Sequence, residues 1–252
     1  MIPGSVFVDG RPPVPGEDPG PVVVFTTVRL LPEGPRWWED HVERLARDAA
    51  ALGVAPPPWP EVERLLADHR PPVPGVLARI AVTSRAWMLA VRAVPVPVRD
   101  PHRHGCRAVV TGHRVPARLA RHKVGGRGPW DAALAEARRR GAFEGLLLDE
   151  RGRLIDGSRT SPLLWTGRRF VVPSGGLPGI TRRHAVEHAR AMGIPVVERS
   201  VDPGELAEAE LLLAGTGVGL VPAEPPRAPE VRGLLRAFRE FTPGVAAAPS
   251  GG

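Results

Sequence analysis

Lys123 is the only lysine among the 34 basic residues of this 252-residue chain. A lysine can lose its proton and form a Schiff base with a carbonyl compound, and an arginine cannot. In so arginine-rich a sequence, one lysine points to a task closed to arginine. The plain alternative is a surface lysine in the loop Arg121-His122-Lys123-Val124-Gly125-Gly126. A second candidate is Leu177-Pro178-Gly179-Ile180-Thr181-Arg182, just before a predicted helix. Helix starts bind anions through unsatisfied N–H groups and the positive end of the dipole. Gly179 would let an anion approach the backbone and Thr181 would add a hydroxyl. An ordinary helix capped by Thr181 reads equally well from these residues. Ala214-Gly215-Thr216-Gly217-Val218 is either a small-residue ligand loop or a hairpin turn. Asp156-Gly157-Ser158 puts an acid on a turn, usually a solvated position. Arg44, in His41-Val42-Glu43-Arg44-Leu45, has apolar neighbours and could point inward at an anion, although arginines more often face water.

Other chemistries are excluded or weakly supported. One cysteine, Cys106, allows neither an intrachain disulfide nor a multi-cysteine zinc site. His184 and His188 are spaced i, i+4, but Ala185 stands where a metalloprotease helix has glutamate, so no metal is expected. Ser158 lacks the Gly-x-Ser-x-Gly elbow of a hydrolase. The net charge is +7. Its clearest clusters, Arg138-Arg139-Arg140 and Arg182-Arg183, read as solvated helix faces, and no nucleic-acid-binding signature accompanies them. No apolar run is long enough to span a bilayer, and the first residues do not read as a signal peptide, so the expected location is the cytoplasm with no membrane partner.

The elements that must position these residues alternate in type. Val22–Leu31 is β-branched and apolar and predicts a buried strand. Trp37–Leu52 predicts a helix whose inner face is Val42, Leu45, Ala46, Ala49 and Leu52, closed by Gly53. A helix over Glu61–His69 and strands over Gly75–Thr83 and Ala86–Val94 complete a first unit. The proline-bearing stretch Pro95–His104 marks a boundary. Beyond it the pattern predicts strands at Cys106–Thr111, Gly145–Asp149, Thr160–Trp165, Phe170–Pro173, Ile194–Ser200, Glu210–Ala214 and Val218–Pro222. Helices are predicted at Pro129–Arg140, Thr181–Met192 and Pro229–Phe241. The division is residues 1–104, 105–241 and an Ala/Pro/Ser/Gly-rich tail, 242–252, expected to be disordered. The class is mixed α and β.

Taken in order, these segments resemble the class IV pyridoxal-phosphate enzymes of fold type IV. The resemblance runs from about Phe7 to Ala223. It is carried by Phe25-Thr26-Thr27-Val28-Arg29, His41-Val42-Glu43-Arg44-Leu45, Lys123, Gly145-Leu146-Leu147-Leu148-Asp149, Asp156-Gly157-Ser158, Leu177 to Arg182, Gly193-Ile194-Pro195-Val196 and Gly215-Thr216. It implies a small N-terminal α/β domain, a larger barrel-like C-terminal α/β domain, a homodimer and pyridoxal 5'-phosphate as cofactor. Lys123 then matches the Schiff-base lysine and proton shuttle, and Arg44 the phosphate arginine. Gly179, Ile180, Thr181 and Thr216 match the phosphate-side donors, and Asp156 the acid that keeps the ring nitrogen protonated. Some positions depart from the family: Asp156 replaces a glutamate, Gly126-Arg127 stands where the family often has Asn-Tyr or Asn-Arg, and the chain has no tyrosine.

Within that family, Phe25-Thr26-Thr27, the short length and Arg127 resemble a 4-amino-4-deoxychorismate lyase, an enzyme of folate biosynthesis. The implied reaction releases 4-aminobenzoate and pyruvate, with Lys123 as base, Thr27 near the leaving group, and Arg29 and Arg127 holding the substrate's carboxylates. Two readings stay open beside it. One is an aminotransferase of the branched-chain or D-amino-acid type, and the other a homologue that no longer binds cofactor.

Overall fold

The computed structural model describes residues 4–68, 70–71, 75–94 and 100–239. By packing, the chain divides into two compact units. The first is Met1–Val94 together with His122–Gly126, and the second is Pro95–Arg121 together with Arg127–Gly252. The chain therefore returns to the first unit for the five residues around Lys123. The tail expected to be disordered lies outside the described residues.

The first unit contains β1 (Val6–Val8), β2 (Val22–Leu31), β3 (Gly34–Pro35), α1 (Trp38–Ala51), α2 (Trp59–Asp68), β4 (Val76–Thr83) and β5 (Trp87–Ala93). The five strands form one antiparallel sheet in the order β1-β5-β4-β2-β3. Successive side chains of a strand point to opposite faces. Val24, Val28 and Leu30 of β2 join Ala78, Ile80, Leu89 and Val91 in a core with Leu45, Ala49, Val62, Leu65 and Leu66 of the two helices. Burying each valine, leucine or isoleucine among them contributes roughly 1.5–3 kcal/mol. The opposite face of β2 carries Phe25, Thr27 and Arg29, with Arg79 of β4 directly across from Thr27.

The buried stripe of α1 is His41, Arg44, Leu45, Asp48 and Ala49. The expected inner face was different. Val42 and Ala46 are only half-buried and Leu52 is exposed, while three polar residues take the inward positions. Hydrogen bonding overrides hydrophobicity here, because His41 and Arg44 meet the Thr26 hydroxyl of β2 and Asp48 meets the Lys123 N–H.

The second unit contains α3 (Pro101–His104), β6 (Ala108–Arg114), α4 (Ala117–Ala120), α5 (Gly128–Arg139), β7 (Glu144–Leu148), β8 (Leu154–Gly157), β9 (Ser161–Trp165), β10 (Phe170–Pro173), α6 (Ile180–Ala191), β11 (Val196–Arg199), β12 (Glu210–Gly215), β13 (Gly219–Pro222) and α7 (Pro229–Ala237). One sheet has the order β6-β7-β8, the other β11-β10-β9-β12-β13. The pairs β6/β7 and β10/β11 are parallel. Parallel neighbours need a crossover, and α6 supplies it between β10 and β11. β8 is an additional strand. Its four residues include Asp156, so the acid lies in a buried strand and not on a solvated turn.

Two expectations about α6 are corrected. Its cap residue is Gly179, with no side-chain cap bond, and Thr181 lies inside the first turn. Arg182 is not on a solvated face. It is buried and donates to the carbonyls of Pro162 and Leu177, at 3.3 and 2.8 Å. Arg138, Arg139, Arg140 and Arg183 are exposed as expected.

Candidate active site

In the first unit, Lys123 lies on a segment laid along β2. Its carbonyl accepts the Phe25 N–H at 2.9 Å, Val124 bridges to Val24, and the Gly125 N–H reaches the Val23 carbonyl at 2.8 Å. A Cβ at Gly125 would lie 1.8 Å from the Val22 carbonyl oxygen, so only glycine fits. The Lys123 ammonium stands 5.2 Å from the centre of the Phe25 ring, and the Arg79 guanidinium 3.8 Å from the same ring. Arg29 is buried on that face. Burial, with help from the Arg36 charge, pushes its guanidinium down to about 10, so it remains a cation at neutral pH.

On the other face of β2, Thr26 is fully buried. Its hydroxyl lies 2.7 Å from His41 Nδ1 and accepts the Arg44 guanidinium at 2.7 Å. Arg44 does point inward, on the face of β2 that α1 covers.

In the second unit the candidates gather around Ser161 at the start of β9. The Ser161 hydroxyl donates to Asp156 at 3.2 Å, and its main chain pairs with Ala214 of β12. A Cβ at Gly179 would lie 2.7 Å from Ser161 Oγ, and one at Gly215 would lie 3.2 Å from Thr160 Cγ2. The structure thus brings Asp156, the start of α6 and the end of β12 around one strand end. Thr216 follows directly on β12, in the turn to β13, and is half-buried. The half-buried Arg127 and the buried Arg182 guanidiniums are both lowered by desolvation, and the Asp156 charge opposes that shift in each. Arg127 donates to the Ser158 carbonyl and lies 5.4 Å from the Trp130 ring centre.

The chain matches the family described as "Amino-transferase class IV" over residues 23–224. The chain belongs to this family. A solved structure described as "Putative 4-amino-4-deoxychorismate lyase" is 38% identical, covers 92% of this chain and 97% of its own, and superposes with a TM-score of 0.83. A curated protein of Thermotoga maritima, "Probable branched-chain-amino-acid aminotransferase", is 36% identical over 99 residues, or 38% of this chain. That match spans 36% of the Thermotoga protein's own length. A Mycobacterium tuberculosis structure described as "A hypothetical aminotransferase", in its α-ketoglutarate- and PMP-bound form, is 18% identical with a TM-score of 0.78 over 94% of this chain and 98% of its own. At that identity it shows the fold alone.

Class IV aminotransferases are pyridoxal-phosphate enzymes, and the second unit fits that cofactor. Thr181 Oγ1 is buried and has no hydrogen-bond partner among the described residues, at the start of a twelve-residue helix. A buried hydroxyl without a partner is costly unless a ligand supplies one. A phosphate at this helix start would do so, beside a glycine with no room for a side chain.

Sequence reasoning missed four polar residues that the structure places beside the candidates of each unit. Asp48, fully buried, accepts the Lys123 N–H at 3.0 Å and faces His122 Nδ1 at 3.1 Å. His41 joins Thr26 and Arg44. Arg79 faces Phe25 and Thr27. Glu144, fully buried, accepts the hydroxyls of Ser158 and Thr160 and the Gly145 N–H, which secures the loop next to Asp156. An acid, a histidine or an arginine inside a helix or strand gives no local sign of its partner. The usable signal was helical spacing: 41, 44, 45, 48 and 49 share one stripe of α1. Burial pushes the Cys106 thiol up to about 11, which keeps it protonated at neutral pH. No helix among the described residues is long and apolar enough to cross a membrane.

Proposed function

We propose that this class IV enzyme is a pyridoxal-phosphate-dependent lyase that converts 4-amino-4-deoxychorismate to 4-aminobenzoate and pyruvate. The observation carrying this reading is the 38% identity, over nearly the full length of both chains, to the structure described as such a lyase. The cationic face of β2 and β4 supports it, because the substrate carries two carboxylates. Arg29 and Arg79 lie on that face with Thr27 and Phe25, and Arg127 is the second-unit candidate from the sequence.

The bound cofactor would supply an electron sink for the pair released at the carbon bearing the amino group. Lys123 would hold the cofactor, and its Nζ is the base that takes the proton from C4 of the substrate. The bond from C3 to the enolpyruvyl oxygen breaks, the departing group takes up a proton and leaves as pyruvate, and the ring becomes aromatic. Thr27 lies beside the leaving group. Asp156 would hold the proton on the ring nitrogen, while Gly179, Ile180, Thr181, Thr216 and Arg44 would bind the phosphate. Lys123 works as a base only when neutral, which a desolvated position favours. The reading also carries a homodimer, as the resemblance implies.

The test has two stages. Wild-type protein given pyridoxal phosphate should show a visible band that borohydride fixes covalently to Lys123, and Lys123→Ala should lose the covalent adduct. Given 4-amino-4-deoxychorismate and no keto acid, the wild type should release 4-aminobenzoate and pyruvate one to one. Amino-acid formation that requires an added keto acid would establish the aminotransferase reading, which the Thermotoga relative favours. Absence of any band would leave a homologue without cofactor.

A further inference from the structure

We propose that Asp48 is the positioning residue of Lys123, a buried carboxylate that sets the lysine's main chain and so the root of its side chain. The inference rests on reading Lys123 as the cofactor lysine. Asp48 lies in the last turn of α1 and is fully buried. A negative charge near a helix C-terminus opposes the dipole, and a buried carboxylate needs several donors. This one has them. Oδ2 accepts the Lys123 N–H at 3.0 Å, while Oδ1 lies 3.1 Å from His122 Nδ1 and accepts Arg47 at 3.3 Å. A carboxylate only accepts, so Nδ1 of His122 carries the proton in this contact.

The two sides of Lys123 are thereby held by different elements. Its N–H is held by α1 through Asp48, and its carbonyl by β2 through the Phe25 N–H at 2.9 Å. Val124 and Gly125 continue the contact with β2. Held at both ends, the residue has little freedom in φ and ψ, and its ammonium is placed 5.2 Å from the Phe25 ring centre. A reacting group needs that kind of placement, because a displacement of about 1 Å can cost roughly a hundredfold in rate.

The experiment compares wild type, Asp48→Ala and Asp48→Asn. Amide hydrogen exchange is read first, on protein without added cofactor. Asp48→Ala should accelerate exchange at the Lys123 amide at least about tenfold and leave the β4 amides unchanged. With pyridoxal phosphate, its borohydride-trapped adduct at Lys123 should form more slowly. Its kcat should fall about ten- to a hundredfold with KM nearly constant. Asp48→Asn, whose amide oxygen still accepts the N–H, should recover most of each loss. Wild-type exchange at Lys123 together with wild-type kcat in Asp48→Ala would overturn the proposal. So would exchange that accelerates uniformly across the first unit, which marks a merely structural residue. If Asp48→Ala does not fold, Asp48→Leu, similar in shape but without an acceptor, takes its place, and a Lys123 amide that exchanges there as in the wild type would count against the clamp. If the wild type itself forms no adduct at Lys123, the cofactor reading fails, while the exchange data still decide whether Asp48 holds this segment.

Discussion

Arg29 is a cation buried on the Phe25–Thr27 face of β2, and burial lowers its proton affinity from the ordinary arginine value to about 10. At 1.36 kcal/mol per unit this is a cost of roughly 3 kcal/mol to the folded protein. The sign follows from the direction of the shift. The cost is complete below pH 10 and is relieved only as pH rises from about 10 toward the unfolded value. At neutral pH the folded protein therefore bears all of it. Arg29→Met should raise the melting temperature of the ligand-free enzyme by about 2–4 °C, a net gain near 1 kcal/mol after lost contacts, and raise KM for a dicarboxylate substrate at least tenfold. Calorimetry and initial rates check both. A variant that melts lower with unchanged KM would make Arg29 a structural residue. Thr181→Val carries a second test of this kind. Its hydroxyl has no partner among the described residues. Removing it should leave the cofactor-free protein as stable or about 1 kcal/mol more stable, yet weaken pyridoxal phosphate binding about tenfold. Melting curves and an absorbance titration measure the two effects.

At the scale of elements, most strands were legible from their β-branched runs. The strand predicted over Val22–Leu31 is β2 to the residue, and Phe170–Pro173 is β10. Helix positions were legible from spacing and from glycines such as Gly53, Gly141 and Gly193, all with positive φ just after a helix. The face of α1 was not. Apolar spacing pointed to Val42 and Leu52, whereas His41, Arg44 and Asp48 turn inward because their partners lie on other elements. β8 was missed because four residues containing an acid look like part of a turn. The Lys123 segment gives a prediction at this scale. Gly125→Ala puts a methyl group 1.8 Å from the Val22 carbonyl oxygen, so the segment or β2 must shift. Overpacking of this kind costs about 1–3 kcal/mol. Turnover should fall by more than tenfold, because the lysine two residues away moves with it. Tm and kcat measured on the same preparation would show this, and wild-type turnover would mean that the segment does not set the lysine's position.

For the molecule as a whole, the cofactor should act as a stabilising ligand. At a hundredfold excess over its dissociation constant, binding to the folded state alone adds about 2.7 kcal/mol. For a chain of this length that raises the melting temperature by about 5–10 °C. Lys123→Ala, which keeps the phosphate contacts, should show a smaller rise. An equal rise in the variant would take the covalent link out of the binding energy. The sequence alone determined the family, through a lone lysine and a series of short motifs in a fixed order. It determined the element types too, because periodicity and capping residues act over a few neighbours. Only the tertiary structure decided how the site is held. Asp48 meets Lys123 across 75 positions of sequence, Thr26 meets Arg44 across 18, and Glu144 meets Thr160 across 16. Such buried polar pairs form where folding brings donor and acceptor together out of water, and no local pattern of residues marks them beforehand.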